Sequence, residues 1–211
     1  MKKINNIILF ILFIVALCSC GDDNSKNQDN NDSSKTESGN NSASENSNKE
    51  VNDKPDVDPQ FKKFLEKFDS KSLPYAENPT GDEKFDKIPL NEQALYLSKA
   101  EKLSKKDLEA MADYTDFYYI SNPLNTNNFH AIVYGRFEMG STYYFLCTFN
   151  NQGKLISNID FAAYELMGAG PQAGQEFNTK GSIDKNMEVT VKSDEETRKY
   201  KIHDNGKIVR L

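Results

Sequence analysis

The sequence predicts an α+β domain, with N-terminal helices followed by an antiparallel β-meander of about six to eight strands. Two observations predict it. Apolar residues recur at helical spacing over residues 58–113, and from Phe117 onward the period shortens to two, with turn-forming residues between the runs. A run of helices followed by a run of strands belongs to an α+β layer architecture and argues against a doubly wound parallel sheet.

The first helix is the strongest local signal. Asp58 is placed to cap it, Pro59 suits its first position, and Phe61, Phe64, Leu65 and Phe68 fall at i, i+3, i+4 and i+7. Lys62, Lys63, Glu66 and Lys67 take the opposite face. The stretch "SLPYAENPTGDE" then interrupts regular structure with two prolines and a glycine. A second helix is predicted over residues 91–100 and a third over residues 105–113. In the third, Ser104 with Asp107 three residues on approximates a capping box, and Leu108, Met111 and Ala112 point inward.

The strand signals are "FYYIS", "FHAIVYGRFE", "TYYFLCTFN", "KLISNIDFAAYE", "EFNTKGSI", "EVTVK" and "RKYKIHD", all rich in aromatic and β-branched residues. Met139-Gly140-Ser141, Asn151-Gln152-Gly153 and Asp204-Asn205-Gly206 supply turns between several of them. Strands joined by turns this tight pair antiparallel. No internal repeat of a length that would indicate a propeller or solenoid is present.

Ahead of the domain stand two segments of different character. Residues 1–19 read as a secretory signal, with Lys2 and Lys3 before the apolar run "IILFILFIVAL". Eleven apolar residues are too few for a spanning helix, which needs about 20. At Leu17-Cys18-Ser19-Cys20 the chain resembles the bacterial lipoprotein precursors, whose lipobox ends in an obligatory Cys. The resemblance implies cleavage after Ser19 and lipidation of Cys20 by a diacylglyceryl group and an N-acyl chain such as palmitate. Two or more acyl chains on one residue make a lasting bilayer anchor. Gly21 after the lipidated position implies the outer membrane, and Asp22 and Asp23 resemble a cue for display on its outer surface. Residues 20–57 then form an Asn/Ser/acidic tether, expected to be disordered because it holds too little apolar surface to offset its chain entropy. As a flexible coil it spans roughly 35 Å. Residues 58–211 form the single folded domain. Its helix with "FLEKF", its "LPY" break and its turns "FNNQGKLIS" and "HDNGKIV" resemble a broad set of outer-membrane or surface lipoproteins of Gram-negative bacteria, a likeness that implies no activity.

The chain carries a formal charge of −6, and residues 21–58 hold four lysines against ten acids. A near-neutral domain on an acidic tether lacks the clustered basic residues that nucleic-acid binding requires, so no nucleic-acid partner is expected. After processing, Cys147 stands alone and has no internal disulfide partner.

Candidate chemistry is sparse. His130 and His203 are the only histidines. The alternation in "RKYKIHD" puts His203 on a solvated face, and His130 reads as a structural, partly buried residue. Cys147 sits mid-strand among aromatics, where a thiol is inert. "GAGPQAG", with Gly168, Gly170 and Gly174, fits a dinucleotide fingerprint only loosely, since no helix follows it. It reads as an adaptable loop between strands and a place for ligand contacts. Asp53, Asp56 and Asp58 lack the glycine and closing Glu of a calcium loop. Tyr118 and Tyr119 are the aromatic candidates for stacking on a sugar ring, but alternation in a strand sends half of such a run inward, the chain has no Trp, and core packing is the preferred reading. No G-x-S-x-G or H-E-x-x-H occurs, so no catalytic residue, metal or cofactor is assigned. The expected function is a non-enzymatic envelope module that binds or scaffolds an envelope protein or glycan while anchored to the bilayer through Cys20. The alternatives are an envelope hydrolase whose two acids converge only in three dimensions, or a surface glycan-binding module using Tyr118, Tyr119 and the Gly168/Gly170/Gly174 loop.

Overall fold

The computed structural model describes residues 56–211 apart from residue 83. The signal segment, Cys20, most of the tether and Asp53 lie outside the described residues.

Helix α1 (Pro59–Leu65) starts where Asp58 accepts from the Gln60 and Phe61 amides, both at 2.9 Å. It buries Phe61, Phe64 and Leu65, and Phe68 continues the apolar row just past its end. Strands β1 (Asp69–Ser70) and β2 (Tyr75–Glu77) follow at once. The second helical segment runs as α2 (Leu90–Glu92), a π turn (Gln93–Leu97) and α3 (Ser98–Glu101), and stops at Lys102 with φ 58°. Helix α4 (Lys105–Met111) carries the expected capping box: the Ser104 hydroxyl accepts from the Asp107 amide, and Asp107 accepts from the Ser104 amide.

The remaining strands are β3 (Thr115–Asn125), β4 (His130–Glu138), β5 (Ser141–Phe149), β6 (Leu155–Leu166), β7 (Glu176–Ile183), β8 (Glu188–Lys192), β9 (Thr197–Ile202) and β10 (Ile208–Arg210). Each pairs antiparallel with the next. Strand β1 adds parallel to β3, and β2 adds antiparallel to β7. Among the described residues all ten strands belong to one hydrogen-bonded sheet.

The expected α+β arrangement, helices first and a meander after, is thereby corrected: the fold is dominated by its sheet. The helical segments are short, and β1 and β2 lie between them and join the sheet. Both strands escaped the sequence reading for a physical reason. Two and three residues long, and set in a proline-rich stretch, they have no period of their own and exist only because β3 and β7 offer edges to pair with.

Strand β7 hands the sheet from one layer to the next. Glu176, Phe177, Asn178 and Thr179 pair with β6, whereas Lys180, Gly181, Ser182 and Ile183 pair with β8. One core lies between the helices and β3–β5, with Phe61, Phe64, Tyr96 and Leu97 against Ile132, Tyr134 and Phe149. A second joins Ala131, Val133, Leu146 and Phe161 to Val189, Val191 and Ile202, so β8 and β9 cover the other face. Burial on both faces explains why β4 reads as the near-continuous apolar run "FHAIVYG" instead of alternating.

Two local features position the site described next. The β5–β6 register slips between Tyr144 and Phe145, which pair with Ala162 and Asp160, and Phe161 is left over as a bulge. Strand β7 crosses this bulge so closely that a Cβ on Gly181 would lie 2.5 Å from the Phe161 carbonyl oxygen.

Candidate functional site

A cavity of about 280 Å³ opens at the bulge, walled by β4, β5, β6, β7 and β9. Its floor is built from Arg136. On β4, His130, Ile132, Tyr134 and Arg136 share a face by strand alternation. Arg136 pairs in register with Tyr143, and its guanidinium lies over two rings of β5, 5.4 Å from the Tyr143 centroid and 5.2 Å from that of Phe145. Each such cation–π contact is worth ~0.5–2 kcal/mol, more as water is excluded.

Two carboxylates fix the Arg136 fork. Nη1 donates to Glu101 Oε2 at 2.6 Å and Nη2 to Glu138 Oε1 at 3.3 Å. The Glu101 side chain, at the end of α3, is only 3% exposed, and its other oxygen accepts from the Tyr134 hydroxyl at 2.5 Å. Burial, followed by the nearby Cys147 and Glu101, holds the Tyr134 phenol well above its ordinary pKa, so it serves as a donor. Burial works against the Arg136 charge, but Glu101 and Glu138 outweigh it and raise its pKa. The buried Nε of Arg136 has no hydrogen-bond partner among the described residues.

The lining is completed by Arg198 from β9, Asp160 and Glu165 from either side of the bulge, and Thr179 from β7. Arg198 is three-quarters buried. Its Nε approaches Glu196 at 3.2 Å, yet off the N–H direction, and is left without a hydrogen bond. Asp160 and Glu165 form no ion pair with a described residue. The cavity therefore presents a planar cationic fork, two carboxylates and an aromatic shelf whose own arginine is already neutralised. A guanidinium fork matches a carboxylate in a bidentate geometry that an ammonium cannot reproduce.

The sequence-derived candidates lie elsewhere. Tyr118 and Tyr119 are adjacent on β3 and project to opposite faces: Tyr119 packs in the helix-side core and donates to Glu92 at 2.5 Å, whereas Tyr118 packs partly against the second core and donates to Asp116 at 3.2 Å. Burial first, then these acids, raises both phenol pKa values. Gly168, Gly170 and Gly174 lie in the exposed β6–β7 loop, closed by Gly174 N donating to Met167 O at 2.7 Å. Strand β3 is three strands from β6, about 14 Å at the usual strand spacing. The tyrosines and the glycine loop therefore do not form one platform. Cys147 is fully buried, and burial holds its thiol well above the ordinary range. His203 is exposed, and among the described residues no cluster of three metal-ligating side chains occurs. Asp58 is a helix cap, as its hydrogen bonds show. A larger open groove of about 560 Å³ lies between Asn78, Tyr164, Glu176, Asn178 and Lys192.

His130 is 5% exposed, with Nδ1 2.8 Å from Asn125 Oδ1 and the Phe61 ring edge-on at 5.8 Å. Burial pushes its pKa below the ordinary value, and the Asn151 side chain pulls it partly back. The unfolded chain therefore binds a proton that the native state refuses as pH falls through about 6.5 toward the lower folded value. Stability is expected to decline across that window and to be level above it. Urea midpoints measured between pH 8 and pH 5 check this, and His130→Gln should flatten that part of the curve.

Sequence reasoning missed Arg136, Arg198 and Glu101. One signal was present: the chain has only three arginines, Arg136, Arg198 and Arg210, against 23 lysines. Where lysine is the default cation, an arginine marks a position that needs a fork or a stacked plane. No protein-family model matches the chain, and no curated protein and no solved structure matches it either. Among the described residues no helix is long and apolar enough to cross a membrane.

Proposed function

We propose that the chain is a lipid-anchored envelope protein whose folded domain is a non-enzymatic binding module, taking a small carboxylate-bearing ligand in the cavity between Arg136 and Arg198. The observation that carries the ligand site is the Arg198 guanidinium, three-quarters buried in a pocket wall with its Nε unbonded. An unmet buried donor costs ~1–3 kcal/mol, more when charged, and a ligand carboxylate would remove that cost. The anchor rests on the lipobox ending at Cys20 and on the polar stretch after it. Gly21 supports attachment at the outer membrane, and Asp22 and Asp23 support display on the cell surface.

Each half has its own test. Metabolic labelling with a palmitate analogue is expected to tag the chain, and Cys20→Ser to abolish the tag and release the protein from membranes. Because the chain has three arginines, ¹⁵N-arginine labelling of the full chain yields three side-chain Nε–H signals. Titration with acetate at constant ionic strength is expected to move the Arg198 signal and leave that of Arg210 in place, with chloride as the control. If no arginine signal responds to acetate, the pocket is not a carboxylate site.

A further inference from the structure

The charges lining the cavity specify more than an anion. Arg136 is already balanced by Glu101 and Glu138. What remains on the walls is the Arg198 fork, whose Nε lies 3.2 Å from the largely exposed Glu196 carboxylate without a hydrogen bond, and two carboxylates, Asp160 and Glu165, neither ion-paired with a described residue. A simple anion would meet the fork but would be repelled by both acids, and a simple cation would meet the acids but be repelled by the fork. A ligand that carries both charges at short separation satisfies all three groups, which is the condition of electrostatic complementarity. The volume of about 280 Å³ falls just below the range of pockets that hold drug-sized molecules, so the ligand is small. The Tyr143 and Phe145 rings supply an apolar surface beside these charges.

We infer that the ligand is a free α-amino acid, its carboxylate taken by the Arg198 fork, its ammonium group by Asp160 and Glu165, and its side chain laid along Tyr143 and Phe145. The inference rests on the reading of the cavity as a carboxylate site. Both ligand charges are required, because either one alone leaves a wall group unmatched. Thr179 supplies a hydroxyl at the same wall, able to donate to the carboxylate or accept from the ammonium.

The test uses the full chain and the twenty free L-amino acids as probes, screened by thermal shift and followed by calorimetry on those that stabilise it. At least one is expected to bind, and its N-acetyl and its C-amide derivatives are each expected to bind at least tenfold more weakly. Arg198→Met should weaken the free amino acid at least tenfold. Asp160→Asn combined with Glu165→Gln should weaken the free amino acid while the N-acetyl derivative, which no longer meets two acids, binds no worse than to the unmodified chain. Should a substituted chain fail to fold, as judged by circular dichroism, the derivative comparison on the unmodified protein decides the matter. An N-acetyl derivative that binds as tightly as its parent overturns the inference. So does the absence of binding by every amino acid when acetate still moves the Arg198 signal, and in that case the carboxylate site itself stands. Silence toward both acetate and amino acids removes the carboxylate site and the inference together.

Discussion

Replacing Phe64 by alanine is expected to cost about 3–5 kcal/mol of stability, the range for deleting a fully buried aromatic. The side chain is 1% exposed and stands at the centre of the aromatic cluster that binds α1 to the sheet. Its ring stacks on Tyr96 with centroids 4.2 Å apart, meets Phe68 edge-on at 5.1 Å, and reaches Tyr119 at 6.0 Å. Alanine would remove those contacts and leave a void that three neighbouring rings cannot fill without leaving their own rotamers. Domains of this size have about 5–15 kcal/mol in hand, so the variant should sit near its unfolding threshold. Urea midpoints compared with Lys63→Ala, an exposed residue on the same helix expected to change stability by less than about 0.5 kcal/mol, give the measurement.

The second large effect is expected at Glu101. Glu101→Ala removes the carboxylate that holds both the Tyr134 hydroxyl and the Arg136 guanidinium, leaving the buried hydroxyl without an acceptor and the guanidinium with Glu138 alone. Breaking a buried ion pair from one side costs about 3–5 kcal/mol. The lower end applies, because Arg136 is 22% exposed and can regain some water. The double replacement Glu101→Met with Arg136→Met should recover the part of that loss that comes from the stranded guanidinium, while the Tyr134 hydroxyl stays without its acceptor. A double-mutant cycle on unfolding free energies measures the coupling. If Glu101→Ala alone shifts stability by less than about 1 kcal/mol, the carboxylate is not what holds Arg136 in place.

The parts of this protein legible in the sequence are those decided within a few residues. The Asp58 cap, the Ser104–Asp107 box and the row Phe61, Phe64, Leu65, Phe68 depend on neighbours three or four positions away, and the structure places them as read. The Met139–Gly140 turn is similar: both residues have positive φ, 50° and 83°, as a two-residue hairpin turn requires. What was not legible depends on distant pairing. Strands β1 and β2 exist by adding to edges built 52 to 108 residues later, so the expected segregation of helices and strands failed there. The cavity is harder still, since Arg136 meets Glu101 across 35 residues, and Arg198 arrives only because β7 carries the sheet into a second layer. Tyr118 and Tyr119 show strand alternation at work. Two adjacent aromatics look like a platform in sequence, but strand alternation divides them between two cores.

The backbone amide of Asp58 donates to the Asn151 carbonyl at 2.8 Å, fastening the start of the domain to the β5–β6 turn. The cavity lies toward the other end of the same strands, near Tyr143 and Asp160, roughly 20 Å away at the strand rise per residue. A strain that loosens residues 56–58 therefore reaches the β5–β6 turn first and the cavity last.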